Sequence, residues 1–131
     1  MAVPPEMVDA VWPLVSPLVQ SALPRADGRL TLLDAQTGCR EGRYVLWAMG
    51  AEGEKLGAVA LSEILQYTTK KVFSIFLYAG ARVRFEGLWP RIEAIAREAG
   101  CSELQIAGPR AWQRLYPQFR EAFTVFTKEI T

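Results

Sequence analysis

The sequence predicts an α/β (α+β) fold, in which one mixed β-sheet carries helices on both faces. One observation is a strand–helix–strand unit, with an amphipathic helix over about 88–99 and a short apolar strand over 103–107. Such a crossover is right-handed and leaves its two strands parallel. The other observation is an antiparallel meander of apolar runs joined by polar turns, over residues 44–49, 56–67 and 72–79.

The length and composition indicate a single packed domain over residues 1–131. The chain has 131 residues, of which 50% are hydrophobic and 22% charged, so a folded core is expected rather than disorder. Apolar runs are too short to cross a bilayer. The N-terminus lacks the basic start of a signal peptide, so a cytoplasmic protein is expected.

Composition excludes several classes of site. The chain has no histidine, which removes Ser-His-Asp triads, Cys-His pairs and most zinc sites. Cys39 and Cys101 form no metal-binding motif and are predicted to be two reduced thiols, so no metal is expected. The net charge is +1, and no dense Lys/Arg run is interleaved with aromatic residues, so no nucleic-acid partner is indicated.

The N-terminal region predicts two helices and no preceding strand. Apolar residues recur at helical spacing from Val8 to Ala22, but Pro13 and Pro17 interrupt this pattern. We therefore expect either one kinked helix or two short ones, ending before Pro24. Thr31 is the expected N-cap of a second short helix that stops near Gly38.

The strand over 72–79 is apolar on both faces and should lie inside the sheet, covered on both sides. Strict alternation of side chains predicts one face with Val72, Ser74, Phe76 and Tyr78, and another with Phe73, Ile75, Leu77 and Ala79.

The C-terminal region predicts a helix, a parallel strand, a second helix and a closing strand. Pro90 suits the first turn of the main helix and Gly100 its end. A short helix over 110–115 should end before Pro117. Residues 123–130 are predicted to form a closing strand antiparallel to 103–107.

This order of elements resembles the GCN5-related N-acetyltransferase (GNAT) fold. In that family acetyl-CoA lies in a gap between the central strand and the parallel strand, and its pyrophosphate sits on the turn that opens the main helix. The family's pyrophosphate motif is Arg/Gln-x-x-Gly-x-Gly/Ala. Here the turn reads Arg84-Phe-Glu-Gly87-Leu-Trp89, which matches the first two fixed positions and replaces the small residue at the third with an indole.

The resemblance implies a set of site residues. Arg84 and Gly87 would hold the pyrophosphate, and Leu77 and Tyr78 would offer strand backbone to the pantetheine arm. Tyr116, in a Leu-Tyr pair like the family's, would protonate the departing thiolate.

Two of these side chains have other interpretations. In the enzymatic interpretation, Glu63 or a water would take the amine proton as general base, and Glu63 could equally mark a sheet edge or a bulge. Tyr116 could instead be a half-buried aromatic residue at a helix end.

The sequence is also similar to small GNAT-like proteins of tailed phages and prophages, many of which have lost the acetyl-CoA motif. Four tryptophans lie in the segments that carry this similarity, and they could also form one aromatic core cluster. The segments are Val11-Trp12-Pro13, Leu46-Trp47, Trp89, Ala99-Gly-Cys-Ser-Glu-Leu-Gln-Ile, Gly108-Pro-Arg-Ala-Trp112 and Thr127-Lys-Glu-Ile.

Two functional hypotheses follow. The first is a non-catalytic binding or structural module, phage- or prophage-derived, whose acetyl-CoA site is degenerate and which binds no cofactor. Its partner would be another protein, such as a virion component, or a second copy, in the host cytoplasm or the virion. The second is an acyl-CoA-dependent N-acetyltransferase that uses acetyl-CoA. Whether the gap is open, or filled by Trp89 and its neighbours, distinguishes the two.

Overall fold

A computed structural model describes residues 1–50, 56–80, 87–108 and 110–130. It contains one five-stranded sheet in the order β1-β2-β3-β4-β5. Neighbouring strands are antiparallel from β1 to β4, and β5 is parallel to β4. This confirms the predicted fold class. The strands are β1 Ala2–Val3, β2 Tyr44–Gly50, β3 Leu56–Gln66, β4 Lys71–Gly80 and β5 Glu103–Ile106.

The helices fall close to their predicted positions. Two short 3-10 helices, Pro5–Met7 and Leu23–Ala26, flank the first α-helix. Gly100 follows the third α-helix with a φ of +83°, a left-handed conformation that favours glycine, so its predicted place at the helix end is confirmed. The α-helices are α1 Val8–Ala22, α2 Leu32–Arg40, α3 Trp89–Glu98 and α4 Trp112–Leu115.

Two expectations about the N-terminus are wrong. A short strand, β1, does precede the first helix, and it pairs antiparallel with β2 at Trp47 and Leu46. The alternative of two short helices is also wrong, because α1 runs without a break through Pro13 and Pro17. Both prolines lie on its exposed side, while the opposite side of the helix is buried against the sheet. Burial of that apolar stripe outweighs the missing backbone donors.

The start of α2 is fixed by a capping box. The Asp34 backbone N–H donates to the Thr31 hydroxyl oxygen at 3.1 Å, and the Thr31 backbone N–H donates to the Asp34 carboxylate at 3.1 Å. The predicted N-cap is therefore confirmed.

Two hydrophobic cores lie on opposite faces of the sheet. We call the one under α1 and α2 the aliphatic core. The one that contains residues of α3 and Tyr116 we call the aromatic core. Trp12 belongs to the aliphatic core, whereas Trp47, Trp89 and Trp112 belong to the aromatic core, so a single cluster of four tryptophans is wrong. The buried members of the aromatic core are Trp47, Ala60, Phe73, Ile75, Ile92, Ala96 and Tyr116.

A bulge in β4 overturns the strict alternation predicted for this strand. Ile75 pairs with Ser62 and Leu77 pairs with the preceding Leu61, so Phe76 is an extra residue. Phe76 and Leu77 consequently both contact the aliphatic core, and Tyr78 turns towards the aromatic core. The interior position of β4 between β3 and β5 is as predicted.

The closing strand is also a wrong prediction. Residues 116–130 form no strand, and β5 is the last strand of the sheet among the described residues. Helix α4 ends before Pro117 as expected. The residues after it make other contacts. The Phe119 ring lies 5.2 Å from the Trp89 ring, and Glu121 pairs with Arg110 at 3.3 Å.

Candidate functional site

The candidate site lies where β4 continues past the end of β5. The two strands are paired from Val72 with Glu103 to Ile75 with Ile106. The Ala107 N–H then donates to the Ile75 carbonyl at 3.3 Å, and β4 goes on to Gly80, whereas β5 ends at Ile106. We call the space beyond this last pair the gap, because the resemblance places acetyl-CoA there.

Trp112 lies across this gap. Its ring centroid is 4.5 Å from that of Tyr78 on β4, with the ring planes tilted by 39°. On the other side, a Cβ built on Gly108 would come within 2.7 Å of the indole, so the ring rests directly on the backbone that follows β5. One side chain therefore contacts both borders of the gap.

Arg25 covers the backbone of Tyr78. Its Nη2 donates to the Tyr78 carbonyl at 2.6 Å, and its guanidinium carbon lies 5.2 Å from the centre of the Tyr78 ring. Burial raises the pKa of the Tyr78 hydroxyl above its ordinary value, and the charge of Arg25 opposes that shift. The Tyr78 carbonyl that the resemblance assigns to the pantetheine arm is therefore already occupied by the chain's own guanidinium.

Tyr116, the predicted general acid, is buried in the aromatic core. Its side chain is only 2% exposed, and its ring is 5.4 Å from Trp89 and 5.9 Å from Trp112. Phe119 completes this group at 6.5 Å from Tyr116. Tyr116 is therefore enclosed mainly by aromatic rings.

Glu63, the predicted general base, lies on the other face of the sheet. It pairs with Tyr44 on β2 and with Ser74 on β4, and Tyr44 packs against the aliphatic core. Burial raises the pKa of the Glu63 carboxyl, with the nearby Arg43 opposing the shift. The sheet separates Glu63 from Tyr116, so the structure does not bring the two predicted catalytic side chains together.

The four predicted cofactor-binding residues do not lie together around the gap. Tyr78 borders the gap, whereas Leu77 is 3% exposed within the aliphatic core because of the β4 bulge. Gly87 is exposed, and a Cβ added there would meet open space, so the surrounding structure does not require a glycine. Arg84 lies outside the described residues.

Two residues important for the gap were not among the sequence-predicted site residues. The sequence predicts Trp112 only as part of a family similarity and of a possible aromatic cluster, and neither pattern indicates that its ring packs on Gly108. Arg25 gave no local signal, since its hydrogen bond reaches Tyr78 across 53 residues of sequence.

Neither a metal cluster nor a membrane helix is found in the described parts of the chain. There, no group of three or more Cys, Asp or Glu side chains is placed to hold a metal ion. No described helix is long and apolar enough to cross a bilayer. Cys39 and Cys101 are free thiols, and burial raises the pKa of the Cys39 thiol to about 11.

Comparison with known proteins identifies the fold. No protein-family model matches the chain, and no curated protein matches it. A probable acetyltransferase matches with a TM-score of 0.65 and 18% identity, covering 100% of this chain and 97% of that one. An aminoglycoside acetyltransferase from an uncultured soil metagenomic sample, solved with sisomicin, matches with a TM-score of 0.62 and 11% identity, covering 100% and 95%. A GNAT family acetyltransferase from Staphylococcus aureus matches with a TM-score of 0.57 and 11% identity, covering 99% and 96%.

These likenesses establish that the chain has the GNAT fold over its whole length. The resemblance to phage and prophage proteins stays a prediction.

Proposed function

We propose that this GNAT-fold chain is a non-catalytic protein-binding module whose acetyl-CoA gap is filled by its own side chains. The observation that carries the proposal is Trp112, which contacts Tyr78 on one border of the gap and Gly108 on the other. The sequence predicts that, if an indole fills the gap, it is that of Trp89. Trp89 instead packs against Tyr116 and Phe119, and Trp112 lies in the gap.

Opening the gap would cost free energy that a cofactor would have to supply. A pantetheine arm would displace the Trp112 ring from Tyr78 and the Arg25 guanidinium from the Tyr78 carbonyl. An aromatic contact and an exposed charge-assisted hydrogen bond together contribute about 2 kcal/mol. A conformational cost of that size weakens binding about 30-fold.

The positions of the predicted acid and base side chains also support a non-catalytic function. Tyr116 is enclosed by aromatic rings, and Glu63 lies across the sheet from it. The function that we assign to this fold is the binding of a partner at its surface. We place the protein with accessory or virion proteins, in keeping with the phage and prophage proteins that its sequence resembles, and its partner is a protein.

Calorimetry with acetyl-CoA tests this proposal. The expected result for the wild-type chain is no stoichiometric binding and no increase in melting temperature at millimolar acetyl-CoA, because a ligand of the native state must raise stability. Trp112→Ala removes the indole from the gap and should reveal weak binding. Trp12→Ala is the control, since it removes an indole from the aliphatic core on the other face of the sheet, and it should reveal none.

Tight, stoichiometric binding by the wild type would overturn the proposal. The alternative, an acyl-CoA-dependent N-acetyltransferase, would then be tested by thiol release from acetyl-CoA. That activity should fall in Tyr116→Phe and Arg84→Ala if these residues have the roles implied by the family.

A further inference from the structure

Helix α1 has an outer side with almost no charge. Between Asp9 and Arg25 the chain carries no charged residue, although α1 lies at the surface, over the aliphatic core. A surface helix normally carries charged residues opposite its buried stripe, and a helix that is apolar all round is normally buried on all sides. The exposed residues of α1 are Asp9, Ala10, Pro13, Leu14, Pro17, Gln20 and Ser21.

Helix α3 shows the ordinary pattern in the same molecule. It also buries one stripe, at Ile92 and Ala96. Its exposed side carries four charged residues, namely Arg91, Glu93, Arg97 and Glu98. On α1 the outer side instead carries Leu14, which is 71% exposed, and the neighbouring α2 adds Leu33 at 67%. An apolar face of this kind marks a surface that another molecule covers.

The two prolines of α1 give this face hydrogen-bond acceptors. Proline has no N–H, so Pro13 and Pro17 cannot donate to the carbonyls four residues before them, which are those of Asp9 and Pro13. Each of these carbonyls points along the helix towards a proline on the exposed side. Gln20 is exposed in the last turn, and its carboxamide offers two N–H donors. The face therefore has acceptors in its first half and a donor near its end.

We propose that this outer face of α1 binds the same face of a second copy, so that two α1 helices pack antiparallel about a two-fold axis. The proposal rests on the proposed binding function, whose partner it names, and not on whether the gap is filled. A two-fold contact brings like surfaces together, so a charged face would repel its own copy. The one charge here is neutralised, because the Asp9 carboxylate accepts from Gln36 at 3.1 Å and pairs with Arg40 at 3.4 Å.

An antiparallel register matches the groups of the two copies. Setting Leu14 opposite the partner's Pro17 also sets Ala10 opposite the partner's Ser21, so the two small residues meet and the helices can approach closely. The Asp9 carbonyl then faces the carboxamide of the partner's Gln20. The acceptor that Pro13 leaves without its helical donor thus gains a donor from the second copy, and the symmetry forms this contact twice.

A membrane suits this face less well than a second copy does. A helix that lies on a membrane surface carries Lys or Arg beside its apolar face. Here residues 1–65 hold five Lys or Arg and eight Asp or Glu, a balance of −3. Anionic lipid would be repelled by this half of the chain, whereas an uncharged contact between two copies is not affected.

Sedimentation equilibrium of the full chain tests the proposal. The expected mass is twice that of one chain, falling to one chain in Leu14→Lys, because the symmetry would bring two ammonium groups into an apolar contact. Leu115→Lys is the matched control: Leu115 is a similarly exposed leucine, at 63%, but it lies on α4, so the dimer should persist. Circular dichroism checks that each variant is folded.

Two further substitutions test the register and remain informative if Leu14→Lys fails to fold. Gln20→Ala removes the donor, and Pro13→Ala gives the Asp9 carbonyl a donor within its own helix, so each should weaken the dimer about tenfold. The double variant should be no weaker than either single one, because both remove the same hydrogen bond. If Pro13→Ala raises the melting temperature without changing the dissociation constant, Pro13 has only a structural role and this register is rejected.

A monomeric wild type overturns the proposal, and binding of that monomer to vesicles of phosphatidylcholine and phosphatidylglycerol would assign the face to a membrane. A dimer that survives Leu14→Lys rejects this surface. Acetyl-CoA binding in calorimetry would reject the filled gap without changing the expected mass, so the two proposals fail separately.

Discussion

The aliphatic core under α1 and α2 and the aromatic core on the other face fill the same sheet with different side chains. The aliphatic core is built from branched residues such as Val15, Val19 and Leu61, which carry no polar side-chain atoms. The aromatic core uses rings with polar atoms, and the Trp47 Nε1 donates to the buried Ser62 hydroxyl at 2.9 Å. Large rings also lie where the β4–β5 pairing ends, as Trp112 does.

This difference between the two faces bears on the proposal that the chain's own side chains fill the gap. Branched aliphatic residues close the space between a helix and a continuous sheet, where the distance between layers is fixed. At the end of the β4–β5 pairing, the Trp112 indole contacts both the Tyr78 ring and the Gly108 backbone. The contrast between the two faces can be tested by substitutions on each face.

The largest expected effect is from Trp47→Ala on the aromatic face. Trp47 is 1% exposed, so its truncation should cost about 3–5 kcal/mol of unfolding free energy through lost burial and a new cavity. The Ser62 hydroxyl would also lose its partner. Urea denaturation measures the loss, and an effect no greater than that of a surface substitution would contradict this account.

A double substitution separates the hydrogen bond from the packing. Trp47→Phe keeps most of the ring volume but leaves the Ser62 hydroxyl buried and unpaired, at a cost of about 1–3 kcal/mol. Adding Ser62→Ala removes that unpaired hydroxyl and should recover part of the lost unfolding free energy. If the two substitutions instead have additive effects on the unfolding free energy, the hydrogen bond contributes little.

On the aliphatic face the next effect is from Gly38→Ala in α2. A Cβ at this position would collide with the ring of Tyr44, which packs edge-on against Phe76 with 5.0 Å between ring centroids. The collision should cost about 1–3 kcal/mol, more than the ~1 kcal/mol that alanine gains over glycine in a helix. Urea denaturation should show a net loss.

Tyr44→Ala supplies the control for that substitution. With the ring removed, Gly38→Ala has space and should become stabilising, so the two changes are strongly coupled. A Gly38→Ala effect that is the same in both backgrounds would rule out the collision with Tyr44.

Local patterns in the sequence predicted most of the fold but only part of the site. Apolar periodicity located α1, α3 and β2 to β5, and the Thr31 cap followed from its residue type, because each of these depends on neighbours within a turn or a strand. The bulge at Phe76 had no such signal, since either face of β4 is apolar in any register.

That bulge decides where the site residues point. It turns Leu77 into the aliphatic core and leaves Tyr78 at the gap, which no alternating pattern predicts. Arg25 and Trp112 meet Tyr78 through contacts between distant parts of the chain. The predicted closing strand is wrong for a related reason: strand composition alone does not determine pairing, and Phe119 and Glu121 contact Trp89 and Arg110 instead.

A smaller effect is expected from Thr31→Ala at the start of α2. The substitution removes the hydroxyl that accepts from the Asp34 N–H, and such a cap contributes about 1 kcal/mol. Thermal unfolding should show the loss, and Thr31→Ser, which keeps the hydroxyl, should restore most of it. Equal melting temperatures for the alanine and serine variants would argue against the cap.

The smallest expected effect is a change in the pH dependence of the unfolding free energy, and it reports directly on Glu63. Burial raises the pKa of the Glu63 carboxyl in the folded state above the ordinary value of 4.5. Between these two pKa values the folded protein keeps the Glu63 proton, whereas the unfolded chain releases it. Below pH 4.5 both states are protonated, and Glu63 causes no loss of unfolding free energy. As the pH rises through the window between 4.5 and the raised pKa, the unfolding free energy falls, because the unfolded state binds fewer protons there.

Glu63→Gln cannot ionise and should avoid this loss. The difference in unfolding free energy between the variant and the wild type should therefore grow in favour of the variant across that window and then remain constant towards neutral pH. Since the Arg43 charge lowers the pKa of Glu63, Arg43→Ala should enlarge the difference and extend the window upwards. Urea titrations at a series of pH values measure it. A difference that does not change with pH would mean that Glu63 is as well solvated on the aliphatic face as in the unfolded chain.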